Sequence, residues 1–239
     1  MAKKHTKNTV RSLQTSDFLA FPRKMILNLL SRTGLVLASY SEPDRLRVIR
    51  MIRKIREESN MLMGYNEAYQ IFMATQRTEK IEGDIAEVGV YKGSSAKLIC
   101  EAKRNKTLHL FDTFEGLPEL SDLDDTKQFY SGQYPASFEA VKNYLKKYPN
   151  VHFYKGIFPE TAEPIKNKRF SFVNLDVDIH EPTLKSLEFF YSRMNKGGVI
   201  VSHDYTTSIG VRKAFDDFFK NKLEPIIELS GSQCLVVKL

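Results

Sequence analysis

Six acid or imidazole side chains stand where apolar runs end: Glu87, Asp112, Asp176, Asp178, His203 and Asp204. Carboxylates are seldom buried without a partner, so such a set at run ends points to a site more than to packing. They fall into two groups. Glu87 is followed by the turn Gly89-Val90-Tyr91-Lys92-Gly93, whose glycines would let the chain pass close under a ligand. Asp112, 23 residues beyond Gly89, is placed to accept hydrogen bonds from a ribose diol. The dinucleotide fingerprint Gly-x-Gly-x-x-Gly is not matched, because position 91 is tyrosine, so a nucleoside ligand without a pyrophosphate is expected. Asp176 with His203-Asp204 suits a metal or an acid/base pair. Oxygen-rich donors favour Mg²⁺ or Mn²⁺, which would acidify a substrate hydroxyl. His203 could instead serve as a general base, its ordinary pKa being about 6.5. Asp178 reads equally well as a loop or helix-capping acid.

Elements that position these groups follow from apolar spacing. Ile85–Val88, Thr107–Asp112, Val151–Tyr154, Phe170–Asp176 and Val199–Ser202 read as short buried strands, each preceded or followed by helical spacing. Alternation of this kind predicts an α/β fold with a mostly parallel sheet, whose strands present ligands at their carboxyl ends. Helices are expected after Ser94, after a Ser137 cap, from Pro182 to a stop at Gly197-Gly198, and over Gly210–Lys222. Pro225–Leu229 and Gln233–Leu239, joined at Ser230-Gly231-Ser232, read as a hairpin closing one edge. Before Gly83, an apolar segment spans Phe18–Leu37 and an amphipathic helix opens at Pro43. Met61–Tyr65 interrupts the pattern, and a further helix reaches about Thr78.

The net charge of +7 is uneven: residues 1–60 carry +8 and the remainder −1, which argues against a nucleic-acid-binding face on the body. The run Met25–Leu37 is broken by Asn28, Arg32 and Gly34, and is too short for the ~20 residues of a bilayer span. Two distant cysteines, Cys100 and Cys234, make no metal or redox spacing and suit a reducing compartment. A soluble, cytoplasmic protein is expected, with residues 1–60 a basic helical extension for oligomerisation or lid formation and 61–239 the catalytic domain.

Four motifs in order carry a family resemblance: Glu87-Val88-Gly89-Val90-Tyr91-Lys92-Gly93, Phe111-Asp112-Thr113-Phe114-Glu115-Gly116-Leu117-Pro118, Asn174-Leu175-Asp176-Val177-Asp178 and His203-Asp204-Tyr205. The set resembles the macrocin-type (TylF/MycF/NovP-like) O-methyltransferases, class I S-adenosylmethionine enzymes. The resemblance implies a Rossmann-like, seven-stranded sheet with an antiparallel last strand. It implies S-adenosylmethionine at Met63, Glu87, Gly89, Tyr91, Gly93 and Ser94, and also at Asp112, Thr113, Gly156, Phe158 and Asp176, with Met61–Tyr65 as a lid. It implies Asp176 and His203 as catalytic residues, a divalent metal at Asp176, His203 and Asp204, and a small-molecule hydroxyl acceptor such as a sugar. His203 departs from the Asp-Asp-Tyr pattern, and His180, where the family has tyrosine, reads as a wall of the pocket. Two other functions fit the residues: a methyltransferase-fold binding protein that lost its chemistry, and an NAD or nucleotide-sugar oxidoreductase. A homo-oligomer is expected, and neither nucleic acid nor a membrane span.

Overall fold

Short stretches rich in apolar and β-branched or aromatic residues build the sheet. In the computed structural model, which describes residues 42–239, strands β1 (Asp84–Val88), β2 (Leu108–Asp112), β3 (Val151–Lys155), β4 (Phe170–Leu175), β5 (Met194–Ser202), β6 (Ile227–Glu228) and β7 (Cys234–Val237) form one sheet. Its order is β3-β2-β1-β4-β5-β7-β6. β1 to β5 run parallel, while β7 pairs antiparallel with both β5 and β6. This is the seven-stranded class I arrangement that the motifs implied. The basic tail and the apolar segment Phe18–Leu37 lie outside the described residues.

Two compact units divide the chain, Met1–Leu46 and Arg47–Leu239. Of the first, only 42–46 are described: the opening turn of α1 (Pro43–Ser59), where Glu42 accepts the Leu46 N–H at 2.9 Å. From Val48 onward α1 buries Val48, Ile52 and Ile55 in one core with Ile85, Leu108 and Phe172 of the sheet. The same face carries α2 (Tyr65–Arg77), α3 (Ser94–Ala102) and α4 (Phe138–Leu145). On the other face α5 (His180–Tyr191) and α6 (Ile209–Phe219) bring Leu187, Phe190, Val211 and Phe215 onto Ala86, Phe111 and Val173. Helices on both faces explain why β4 is buried at every position, including the polar Ser171 and Asn174. No helix among the described residues is long and apolar enough to cross a membrane.

Local chemistry accounts for most boundaries. Ser137 and Ser208 cap α4 and α6, their hydroxyls accepting the N–H groups of Ala140 and Val211. The glycine pair Gly197-Gly198 does not end α5, which closes at Tyr191. It lies inside β5, where the pairing with β4 shifts register and Gly197 takes φ +80°. A helix stop and a strand irregularity both ask for glycine, so the sequence alone does not separate them. The short 3₁₀ helix Glu160–Ile165 is an addition to the sequence reading.

The last strand is pinned by an ion pair. Lys238 Nζ donates to Glu224 Oε1 at 2.6 Å, and the Tyr191 hydroxyl lies 2.9 Å from each Glu224 oxygen, whose side chain is only 3% exposed. Burial opposes the charge, but Lys238 and Tyr191 hold the Glu224 carboxyl down at about 2. A depressed carboxyl contributes its stability above its unfolded value of 4.5 and loses it as pH falls toward about 2. Glu224→Gln should therefore cost about 2 kcal/mol at pH 7, and the gap to the parent should narrow below pH 4.5. Urea midpoints at pH 7 and at pH 3.5 measure both values; equal midpoints at pH 7 would refute the pinning.

Candidate active site

Parallel pairing brings the ends of β1, β2, β4 and β5 to one edge, and a cleft opens there. Gly89 leaves β1 with φ +86°, and a Cβ built on it would stand 1.8 Å from the carbonyl oxygen of Asp176. The glycine is thus required by the end of β4, not by a ligand: its bare Cα lets the two strand ends close together. Tyr91, Phe114, Tyr134, Asp178 and Asp204 all hold positive φ between 49° and 66° around the same edge. Such backbone is uncommon for these side chains and gathers where a site is held in shape.

Asp112 organises the glycine turn. Its Oδ2 accepts the N–H groups of Val90 at 2.6 Å and Tyr91 at 2.8 Å, and its Oδ1 accepts that of Phe114 at 2.6 Å. A carboxylate has about four acceptor positions, so one remains for a ligand hydroxyl. The residue is accordingly structural and ligand-facing at once, which strand-end position alone does not reveal.

Opposite the turn lies a cluster around His203. Its Nδ1 is 2.9 Å from Asp204 Oδ2 and 3.5 Å from Asp176 Oδ1, while Nε2 is 3.3 Å from Ser232 Oγ and 3.5 Å from Glu67 Oε2. Burial would depress the imidazole, but Asp176, Asp204 and Glu67 push it up to about 12. In that environment both ring nitrogens carry protons and neither can accept another. The base role read from the sequence does not fit His203 here; the ring serves as a fixed positive charge. Burial lifts Asp176 to about 6, against the pull of His203. Asp178 rises well above the ordinary range by burial and by the nearby Asp176 and Asp204. Asp204 goes the other way: burial alone would raise it, but the hydrogen bond and charge of His203, with hydrogen bonds from Thr207 and Asp178, together hold it down. Glu67 is likewise held well below the usual carboxylate range against its burial, by His203 and by the N–H groups of Ser232 and Gly64.

Asp176, His203 and Asp204 each offer a ligand atom within 4.8 Å of the others, so the spacing suits one ion. The donor set, two carboxylates and an imidazole, suits Mn²⁺ better than Mg²⁺. A cation there would have to displace the proton that Nδ1 shares with Asp204.

Of the residues expected at a cofactor, Met63, Gly89, Tyr91, Ser94 and Asp112 line the cleft, as do Thr113, Gly156, Phe158 and Asp176. Glu87 and Gly93 do not. Glu87 shares the face of Ile85, pointing beneath α3, where it is fully buried and accepts Asn174 Nδ2 at 2.8 Å. Burial pushes its carboxyl up to about 8, so it is a neutral acid at pH 7 and not a strand-end anion. Gly93 is the left-handed cap of α3, φ +80°, and its Cα faces Val141. His180 does not line the cleft either; its N–H donates to Asp124 Oδ1 at 2.7 Å to start α5. The structure adds Tyr134, Phe129 and Pro182 to the walls, and Glu67 and Ser232 to the His203 cluster. Glu67 has a sequence signal only as a helix-start acid, three residues after Gly64.

Comparison with known proteins agrees with this geometry. A Streptomyces olivaceus tetracenomycin-C 4'-O-methyltransferase, whose full name specifies the 8-demethyl-8-(2,3-dimethoxy-alpha-L-rhamnosyl) form, is 26% identical over 180 residues, 68% of this chain and 69% of that protein. The mycinamicin III 3''-O-methyltransferase of Micromonospora griseorubida is 28% identical over 142 residues, 52% of this chain and 56% of its own length. In fold, the O-methyltransferase NovP superposes with a TM-score of 0.63 at 21% identity, over 74% of this chain and 81% of its own. The family model for macrocin-O-methyltransferase (TylF) matches residues 63–231, from Met63 on the cleft wall through every strand end that supplies the cleft to the hairpin turn. The chain is therefore a methyltransferase enzyme and belongs to the macrocin-O-methyltransferase family.

Proposed function

We propose that this enzyme transfers the methyl group of S-adenosylmethionine to a hydroxyl of a small molecule, a sugar or other natural-product intermediate. The observation that carries the reading is one cleft with the Asp112-braced glycine turn on one wall and the Asp176–His203–Asp204 cluster on the other. Asp112 would take the ribose diol with its remaining acceptor position, and Met63 would cover the donor from the lid. By their names, one relative acts on a rhamnosyl-bearing tetracenomycin and the other on mycinamicin III, which supports the acceptor class. The free enzyme's other readings find less support: an oxidoreductase lacks its third glycine, and the cleft retains a full set of ionisable groups.

Methyl transfer to oxygen is a direct displacement, so the protein's work is alignment and handling of the hydroxyl proton. Asp176 faces the cleft and would receive that proton. His203 keeps its positive charge beside the oxygen as negative charge develops there, and Asp204 and Glu67 hold the ring in place. The spacing of Asp176, His203 and Asp204 favours a second reading, in which these residues hold a divalent cation, Mn²⁺ or Mg²⁺. Such an ion would supply Lewis acidity toward the acceptor oxygen. Residues 1–60 carry +8; α1 packs on the body from Val48, and the stretch before it is proposed as an extension that packs against another subunit and helps close the site, in a cytoplasmic homo-oligomer.

Calorimetric titration with S-adenosylmethionine tests the core of this reading. The parent should bind saturably. Asp112→Ala should weaken binding at least tenfold, the effect of about 1.4 kcal/mol, and lower Tm as well, because three backbone N–H groups lose their acceptor. A folded parent that binds no S-adenosylmethionine would remove the donor assignment, and a monomer by light scattering would remove the subunit contact.

A further inference from the structure

One carboxylate joins three parts of the chain that are far apart in sequence. Glu67 lies in the first turn of α2 with its side chain 12% exposed. Its Oε2 accepts the Gly64 N–H at 2.7 Å, at the end of the segment Met61–Gly64. Its Oε1 accepts both the N–H and the hydroxyl of Ser232, each at 2.8 Å, in the turn between β6 and β7. The same carboxylate stands 3.5 Å from His203 Nε2, on the side of the ring away from Asp176 and Asp204. The turn is shaped to receive it. Gly231 has φ +100°, and a Cβ there would meet Glu67 Oε1 at 2.6 Å. A second side chain of α2 repeats the contact, with Gln70 Nε2 donating to the Ser230 carbonyl at 3.0 Å. The peptide unit that Glu67 holds by the Gly64 N–H is also tied from its carbonyl end by Arg56, which donates to the Met63 carbonyl at 2.9 Å. Ahead of this peptide Met61 and Met63 turn inward to the cleft, and Leu62 stays 61% exposed.

We infer that Glu67 is a positioning residue for the transfer: it latches Met61–Gly64 over the cleft and, through the same carboxylate, sets the ring of His203 toward Asp176. The inference rests on the reading that this cleft holds the methyl donor. The two arms are separable through Ser232: Oε2 faces both the Gly64 N–H and His203 Nε2, whereas Oε1 holds Ser232, whose hydroxyl lies 3.3 Å from the ring and makes no hydrogen bond to the lid segment. A lid held by Oε2 acts on donor affinity, whereas a ring held by the Ser232 side acts on turnover. No atom of Glu67 needs to reach the reacting groups for either effect.

Hydrogen exchange and steady-state kinetics on the full chain test it. In Glu67→Ala, the amides of 62–66 should exchange at least tenfold faster without any ligand, the donor KM should rise at least tenfold, and kcat should fall as well. Glu67→Gln keeps an acceptor for Ser232 but turns an NH₂ toward Gly64. It is close in shape, so it guards against a folding failure, and it should reproduce the faster exchange and the higher donor KM. Ser232→Ala should lower kcat with donor KM within about threefold of the parent, a split that a merely structural role would not produce. Unchanged exchange over 62–66 in folded Glu67→Ala and Glu67→Gln would overturn the latch. A parent that binds no S-adenosylmethionine, with exchange still accelerated in both variants, would uphold the latch and sink the donor reading instead.

Discussion

Gly89→Ala should abolish activity and strip the fold of about 4 kcal/mol or more. Two penalties combine. The residue holds φ +86°, where an alanine is strained by ~1 kcal/mol, and its Cβ would lie 1.8 Å from the Asp176 carbonyl oxygen, which belongs to backbone. Neither neighbour can yield cheaply. The Asp176 N–H donates to the Val88 carbonyl, and the Gly89 N–H donates to the Phe111 carbonyl, each at 2.9 Å, so the shift would pull on three strand ends. Asp176 would move with its backbone, out of reach of His203. A loss of that size corresponds to a Tm drop of roughly 8 °C or more for a chain this long. Gly132→Ala is the control: its φ is +82°, but nothing lies within 4 Å of the added carbon, so it should cost only the strain. Melting curves of both variants with a methyl-transfer assay settle the matter; a Gly89→Ala protein within 2 °C of the parent would contradict it.

The second large effect concerns the cation between the carboxylates. His203→Ala should lower kcat by about 10²–10⁴-fold, the range for losing a group that handles the proton or its charge. It should also destabilise the fold, because Glu67, Asp176 and Asp204 would then face one another with no positive partner. The pH signs are distinct. An imidazole raised to about 12 contributes its full stability below its ordinary 6.5 and loses it progressively as pH climbs from there toward about 12, while the folded enzyme keeps the ring charged in the neutral range, so the rate shows no break from His203 there. Activity should fall instead as pH drops through about 6, where Asp176 takes up a proton and can no longer receive the acceptor's. His203→Asp removes the resident charge and adds an oxygen donor, so calorimetry should show Mn²⁺ binding at least tenfold tighter than in the parent. A rate that breaks near 6.5 and follows His203 would return the histidine to the role of base, and an Asp variant with no gain in Mn²⁺ affinity would remove the ion from the cluster. Treating the parent with chelator then decides between the two readings of the cluster: activity lost and restored by Mn²⁺ favours the ion, and activity kept favours the imidazolium alone.

Much of this enzyme was legible before any coordinates. Parallel strands buried on both faces must be short apolar runs, and the turns between them and their helices must break with glycine or a capping side chain. That is why β1, β2, β4 and β5, the cap Ser137, and the terminal hairpin could be read from residue spacing. Strand ends converge wherever strands are parallel, so Asp112, Asp176 and His203 were expected to meet, and they do. Spacing carries less where two structures ask for the same residue. Gly197-Gly198 serves a strand irregularity instead of a helix stop, and Gly89 makes room for a neighbouring strand instead of a ligand. Side-chain direction was also undecided: one position along β1 separates a residue beneath α3 from one on the other face, so Glu87 became a buried neutral acid and not a cleft anion. The state of His203 and the part played by Glu67 came only from tertiary structure. The three carboxylates that keep the ring charged come from α2, β4 and β5, and Ser232, 165 residues beyond Glu67, reaches it only because β7 turns back antiparallel along β5. A charge's pKa and a latch's partners depend on what the whole fold brings within a few ångströms, and no local spacing encodes that.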